Sequence, residues 1–132
     1  MARHLALLSL LVHDYDEALA FYVGKLGFDL VEDSDMGGGK RWLVVSPGPK
    51  GSRFLLAKAT DAAQAAVVGA QGGGRVWLFL HTDDFAGDHA RMSAAGVRFL
   101  EAPRHEAYGS VAVFEDLYGN RWDLLQPKPR PE

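Results

Sequence analysis

Apolar positions along the chain come in short runs and alternations that aspartate and glycine interrupt at similar intervals, the pattern of strands and helices in turn. Residues 5–12 (Leu-Ala-Leu-Leu-Ser-Leu-Leu-Val) are continuous enough for a strand covered on both faces. Asp14 then offers an N-cap with Glu17 three residues on, and Tyr15, Leu19, Tyr22 and Leu26 recur at helical spacing until Gly27 stops the helix. Strands are predicted over 28–32, 41–46 and 53–57, separated by a glycine-rich loop at 33–40 and a turn at 47–52. Alanine-rich residues 61–71 predict a short helix, and Gly72-Gly73-Gly74 a flexible hinge.

The order then repeats. A strand is predicted over 75–82, a cap at Asp84, a helix over 85–95, a stop at Gly96, and strands over 97–101, 110–115 and 121–126, the last after a turn at Tyr118-Gly119-Asn120. Residues 102–109 read as a loop, and Pro127 with its neighbours as a tail. Adding 70 carries Val12-His13-Asp14-Tyr15 onto Thr82-Asp83-Asp84-Phe85, and adding 69 carries Gly27-Phe28 onto Gly96-Val97. A duplication explains both with one assumption. The expectation is a single α+β domain over 1–132, made of βαβββ repeats at 4–58 and 74–127 joined by a helical and glycine linker at 59–73.

Composition excludes more than it identifies. At 132 residues the chain has the length of one domain, which buries about two-thirds of its unfolded surface. Its 48% hydrophobic and 23% charged residues are ordinary for a globular protein, so fold has to be read from pattern. Net charge is −3 with Lys and Arg scattered, which leaves no electrostatic footprint for nucleic acid. The absence of cysteine removes disulfides, thiolate nucleophiles and thiolate metal sites together, and fits a reducing compartment. No apolar run reaches the ~18 residues of a membrane span. Ser9 interrupts the opening apolar stretch, and Asp14, Asp16 and Glu17 stand where a signal peptide would need small residues. A cytoplasmic protein with no membrane partner is expected.

Three segments carry a resemblance: Val12-His13-Asp14-Tyr15-Asp16-Glu17-Ala18-Leu19-Ala20-Phe21-Tyr22, then Leu26-Gly27-Phe28, then Asp116-Leu117-Tyr118-Gly119-Asn120-Arg121-Trp122-Asp123-Leu124. In this order they resemble the vicinal oxygen chelate superfamily, which includes glyoxalase I, extradiol dioxygenases, methylmalonyl-CoA epimerase, and the bleomycin and fosfomycin resistance proteins. The resemblance implies that the two βαβββ modules form a cupped, mostly antiparallel mixed sheet with helices on the outer face. It also implies, for the metal-dependent members, four His, Glu or Gln ligands on the first and fourth strands of each half. Those positions fall here on Leu7, Trp77 and Asp123, and, by subtracting 69 from Asp123, on Phe54, all four expected to face the cup and its ligand. Three of the four have no donor atom for a divalent cation, so no metal and no other cofactor is expected. Metal-stabilised proton transfer and iron-dependent ring cleavage lose their main support with it.

Alternation along the strands lines the expected cup with Leu7, Ser9, Trp77, Phe79, His81, Arg121 and Asp123. Trp77 and Phe79 either stack on a planar ligand or fill the core. His81 reads as a general base or as a structural histidine. Asp123 reads as a relic of a metal position, a ligand-orienting carboxylate, or the partner of Arg121 or Arg41 in an ion pair. Trp42, and the His105, Glu106 and Tyr108 of the loop at 102–109, are rim candidates, with plain solvation as the alternative. His4, His13, His89 and the terminal Lys-Pro-Arg-Pro run read as surface.

The leading expectation is a metal-free binder that holds a small molecule in an aromatic cup and pairs as a homodimer, with the cup built either within one chain or between two. The rival is a lyase, isomerase or dioxygenase with a divergent metal site built from His81, Asp123 and either His105 or Glu106. A third reading is an interaction module without ligand. Whether the chain catalyses anything is left open at this stage.

Overall fold

A computed structural model describes residues 1–129. Arg130 and Pro131, the end of the Lys-Pro-Arg-Pro run, lie outside the described residues. The chain divides into two compact units, one running from Met1 to Val68 and the other beginning at Gly69.

The first unit comprises β1 (Leu7–Val12), α1 (Tyr15–Tyr22), β2 (Asp29–Asp35), β3 (Arg41–Ser46), β4 (Arg53–Lys58) and α2 (Ala62–Val67). Its four strands are ordered β1-β4-β3-β2, with β1 parallel to β4 and the remaining pairs antiparallel. The second unit comprises β5 (Val76–His81), α3 (Phe85–Ala94), β6 (Arg98–Phe99), β7 (Arg104–Glu106), β8 (Gly109–Glu115) and β9 (Arg121–Pro127). Its order β5-β9-β8-β6 repeats that topology, with β5 parallel to β9, while β7 pairs with β8 as an addition. This is the mixed α+β architecture of βαβββ modules. No helix among the described residues is long and apolar enough to cross a membrane.

Local chemistry sets the helix ends. The side chains of Asp14, Asp61 and Asp84 accept from the backbone N–H of Glu17, Gln64 and Gly87 at 2.8, 2.8 and 3.1 Å, satisfying donors that the first turn leaves open. Gly27 and Gly96 stop the chain after α1 and α3 with φ of 78° and 90°, a conformation that any Cβ disfavours. Phe28 N–H then bonds back to Tyr22 C=O at 2.9 Å, and Val97 N–H to Met92 C=O at 3.0 Å. The regular helix α1 therefore ends at Tyr22, earlier than its apolar spacing predicts, and turns carry the chain on to Gly27.

In each unit one sheet face carries the core. Leu10 and Val12 of β1 join Leu43, Val45, Phe54 and Leu56 on the covered face of the first sheet, where Tyr22 of α1 is fully buried. The rings of Phe21, Tyr22, Phe28 and Phe54 form a chain with centroids 5.3, 5.9 and 6.4 Å apart. The second unit repeats the device with His89, Phe99, Phe114 and Trp122 at 4.2, 5.8 and 5.7 Å.

Several expectations change here. β1 is covered on one face only, since Ser9 is exposed. β6 is two residues long, and residues 104–106 form a strand instead of a loop, because β8 is long enough to pair with both segments. His89 is no surface residue: it lies half-buried between Phe85, 5.7 Å away, and Phe99.

Candidate functional site

The face of the second sheet turned away from α3 carries most of the candidates. Pairing places Phe79 beside Asp123, and Asp123 beside Val113, so that all three share this face. His81, Leu125, Val111 and Arg104 form the next row along the same face. Phe79 is 62% exposed although it sits in mid-strand, whereas its neighbours Leu78 and Leu80 are half-buried. The β5–β9 register shifts between Val76 and Leu78, which leaves half-buried Trp77 at an irregularity in the ladder. The backbone of Gly72 lies against Trp77, so that a Cβ at residue 72 would come within 2.5 Å of the indole's Cβ.

Asp123 is the least satisfied polar group of this face. Its Oδ1 is sealed from solvent, and no described side chain bonds to it. Burial of the carboxyl raises its pKa above the usual carboxylate value, Arg104 draws it back, and Glu101 raises it further. The ion pairs expected of Asp123 do not form. Arg121 instead donates to Gly74 C=O at 3.1 Å. Arg41 belongs to the first unit, where it binds Asp33 at 2.7 Å and Asp16 at 2.8 Å over the ring of Tyr15.

Arg104 is held from two sides. Its Nε donates to both carboxylate oxygens of Glu101, at 3.0 and 2.8 Å, and its Nη1 to Glu106 at 3.1 Å. Those bonds, with one to Tyr108, raise its pKa further above the ordinary arginine value. Arg104 and Glu101 were not among the predicted site residues. The spacing Glu-x-x-Arg-x-Glu carried the signal, but it reads as a solvated charge run unless a strand is recognised there.

The partners of β7 also separate two candidates that are neighbours in sequence. Glu106 shares its face with Arg104, whereas His105 points the other way and its Nδ1 meets Ser110 Oγ at 2.9 Å. Tyr108 lies 53% exposed in the turn between β7 and β8.

In the first unit, Leu7 and Ser9 occupy the open face of their sheet, with half-buried Trp42 on the equivalent face of β3. Phe54 does not join them. It is 6% exposed, pairs with Leu8, and stacks on Phe28 in the core. The shift of 69 that assigned it to the open face is one residue out. Ser9 pairs with Leu55 as Phe79 pairs with Asp123, so Leu55 is the counterpart of Asp123.

With this register the positions at which the resemblance implies metal ligands hold Leu7, Leu55, Trp77 and Asp123. One carboxylate among three side chains without donor atoms does not fit a divalent ion. Nor do three or more His, Asp or Glu side chains gather as a metal-holding group anywhere among the described residues. What the open face of the second sheet can do is stack a flat molecule on its exposed aromatic ring and offer it a carboxyl oxygen.

Comparison with known proteins agrees with this architecture. The family profile described as Glyoxalase/Bleomycin resistance protein/Dioxygenase superfamily matches residues 3–124. An uncharacterised protein of Shewanella frigidimarina (strain NCIMB 400) is 53% identical over 128 residues, 96% of this chain and 95% of that protein. Among solved structures, UcmS2 superposes with a TM-score of 0.80 at 30% identity, covering 95% of this chain and 98% of its own. TnmS3, an antibiotic binding protein from Streptomyces sp. CB03234, superposes at 0.77 with 33% identity, covering 96% and 98%. By sequence profile, by module topology and by structural likeness, this chain belongs to the glyoxalase, bleomycin resistance protein and dioxygenase superfamily.

Proposed function

We propose that the protein is a small-molecule binder that works without the divalent metal of the superfamily's enzymes, its ligand lying against Phe79 and Trp77 on the open face of the second sheet. The observation that carries this reading is the pairing of Phe79 with Asp123. A large ring more than half exposed in mid-strand stands beside a carboxyl that no described side chain bonds, a stacking surface and an acceptor that a ligand engages together. The description of TnmS3 as antibiotic binding, at 33% identity over nearly the whole chain, supports a small organic ligand. A cytosolic homodimer completes the reading, since the exposed Phe79 gains by being covered and the chain carries no cysteine.

The rival, an enzyme with a divergent metal site, loses His105, which strand alternation turns away from His81 and Asp123, and is left with Glu106, which Arg104 already bonds. Metal analysis of protein purified without a histidine tag separates the two, combined with thermal-shift screens of Ni, Zn, Mn and Fe and of a library of planar organic compounds. Binding predicts no stoichiometric metal and compounds whose stabilisation is lost on Phe79→Ala. Stoichiometric metal that Asp123→Ala releases would establish the enzyme instead. A library that never raises the melting temperature would leave an interaction module.

A further inference from the structure

We infer that the ligand of the open face of the second sheet is an organic cation, a flat or compact molecule bearing a protonated nitrogen that Asp123 receives. This deepens the binding reading and rests on it. Two acidic side chains, Glu101 and Glu106, hold the guanidinium of Arg104, and Asp123 lies in the adjoining row of the same face. Arg104 is already engaged by both glutamates, so it neutralises them in part and has little left to offer an anion. No described side chain bonds the Asp123 carboxyl; its Oδ1 is sealed, so the N–H of a ligand is received at the other oxygen.

The other charged groups of the face do not reverse this balance. Arg121 is bonded to Gly74 C=O, Arg98 is paired with Glu115 at 3.2 Å, and His81 stands one row away at the end of β5. The aromatic side adds to the preference. Phe79, paired directly with Asp123 and 62% exposed, presents a ring whose face attracts a cation and stacks on a flat one. A neutral flat molecule would satisfy the ring alone; an anion would meet the carboxylates.

The test compares two probes of one three-ring shape and opposite charge: 9-aminoacridine, a cation at neutral pH, and anthracene-9-carboxylate. Calorimetric titration of the full chain is expected to show the cation binding at least tenfold more tightly in low salt. Raising the salt from about 20 mM to about 500 mM should narrow the gap, as screening requires. Asp123→Asn, nearly isosteric and checked for folding by circular dichroism, should remove most of the preference while Phe79→Ala weakens both probes. If the carboxylate binds equally or better and Phe79→Ala still abolishes its binding, the cation inference falls and the binding site stands. If neither probe binds, and no library compound stabilises the protein, both fall together.

Discussion

The indole of Trp122 donates through Nε1 to Oδ2 of Asp116 at 3.3 Å, inside the second unit, where the two residues are 1% and 5% exposed. The same carboxylate accepts from Asn120 Nδ2 at 2.9 Å, and its Oδ1 from the backbone N–H groups of Tyr118 and Asn120, both at 3.0 Å. One buried side chain thus closes the last turn and anchors the first residues of β9, the strand that carries Asp123. Asp116→Ala strips these donors of their acceptor inside the protein and should cost about 3 kcal/mol or more in urea denaturation. Trp122→Phe, which loses one bond and some volume, should cost about half as much.

Two phenylalanines, each in a strand, should behave in opposite ways. Phe54→Ala opens a cavity in the stack against Phe28 and should destabilise by about 3–5 kcal/mol. Phe79→Ala removes a ring that is mostly in solvent and should shift stability by less than about 0.5 kcal/mol. Chemical denaturation of both variants checks the contrast. A large loss at Phe79 would mean that the ring is core, and the binding site proposed on it would fail.

Asp123 should make stability depend on pH with a definite sign. Its folded pKa is raised by burial, so the folded state binds the proton more tightly than the unfolded chain does. The penalty for ionising it is therefore fully present above the folded pKa and is relieved as pH falls through that value towards the unfolded one. Asp123→Asn should accordingly raise the melting temperature near pH 7.5. The gain should vanish in acid, below the ordinary aspartate range. Melting curves at several pH values would show a gain that persists in acid if the effect is unrelated to ionisation.

The cap of α3 imposes a choice of residue three positions away. A Cβ at Gly87 would come within 2.1 Å of the Asp84 carboxylate, so Gly87→Ala should displace the cap even though alanine favours helix. The expected loss is about 1 kcal/mol, close to that of Asp84→Ala, and the double variant should cost little more than either alone. Additive losses in thermal melts would show that the glycine acts separately from the cap.

Much of this molecule is legible in its sequence. The caps at Asp14 and Asp84, the stops at Gly27 and Gly96, and the strand over 41–46 depend on neighbours within a few residues, and local chemistry speaks for itself at that range. Alternation likewise placed Leu7, Ser9, Phe79 and Asp123 on open sheet faces. The errors lie where distant segments meet. Phe54 and Leu55 differ by one step of strand register, and a single step moves a side chain from solvent to core. His105 and Glu106 part because β8 takes residues 104–106 into its ladder, which no pattern in that segment announces.

What was legible in the sequence, the order of the elements other than β7 and the caps and glycine stops of α1 and α3, rests on torsional preference and hydrogen bonds within one turn or one hinge. Only the tertiary structure decided that Asp123 has no ion-pair partner, that Arg104 is bracketed by two glutamates, and that His89 is packed between aromatic rings. Those facts depend on which strands pair and at what register, and pairing is settled by the whole sheet's burial of its apolar face, a sum that no local window contains.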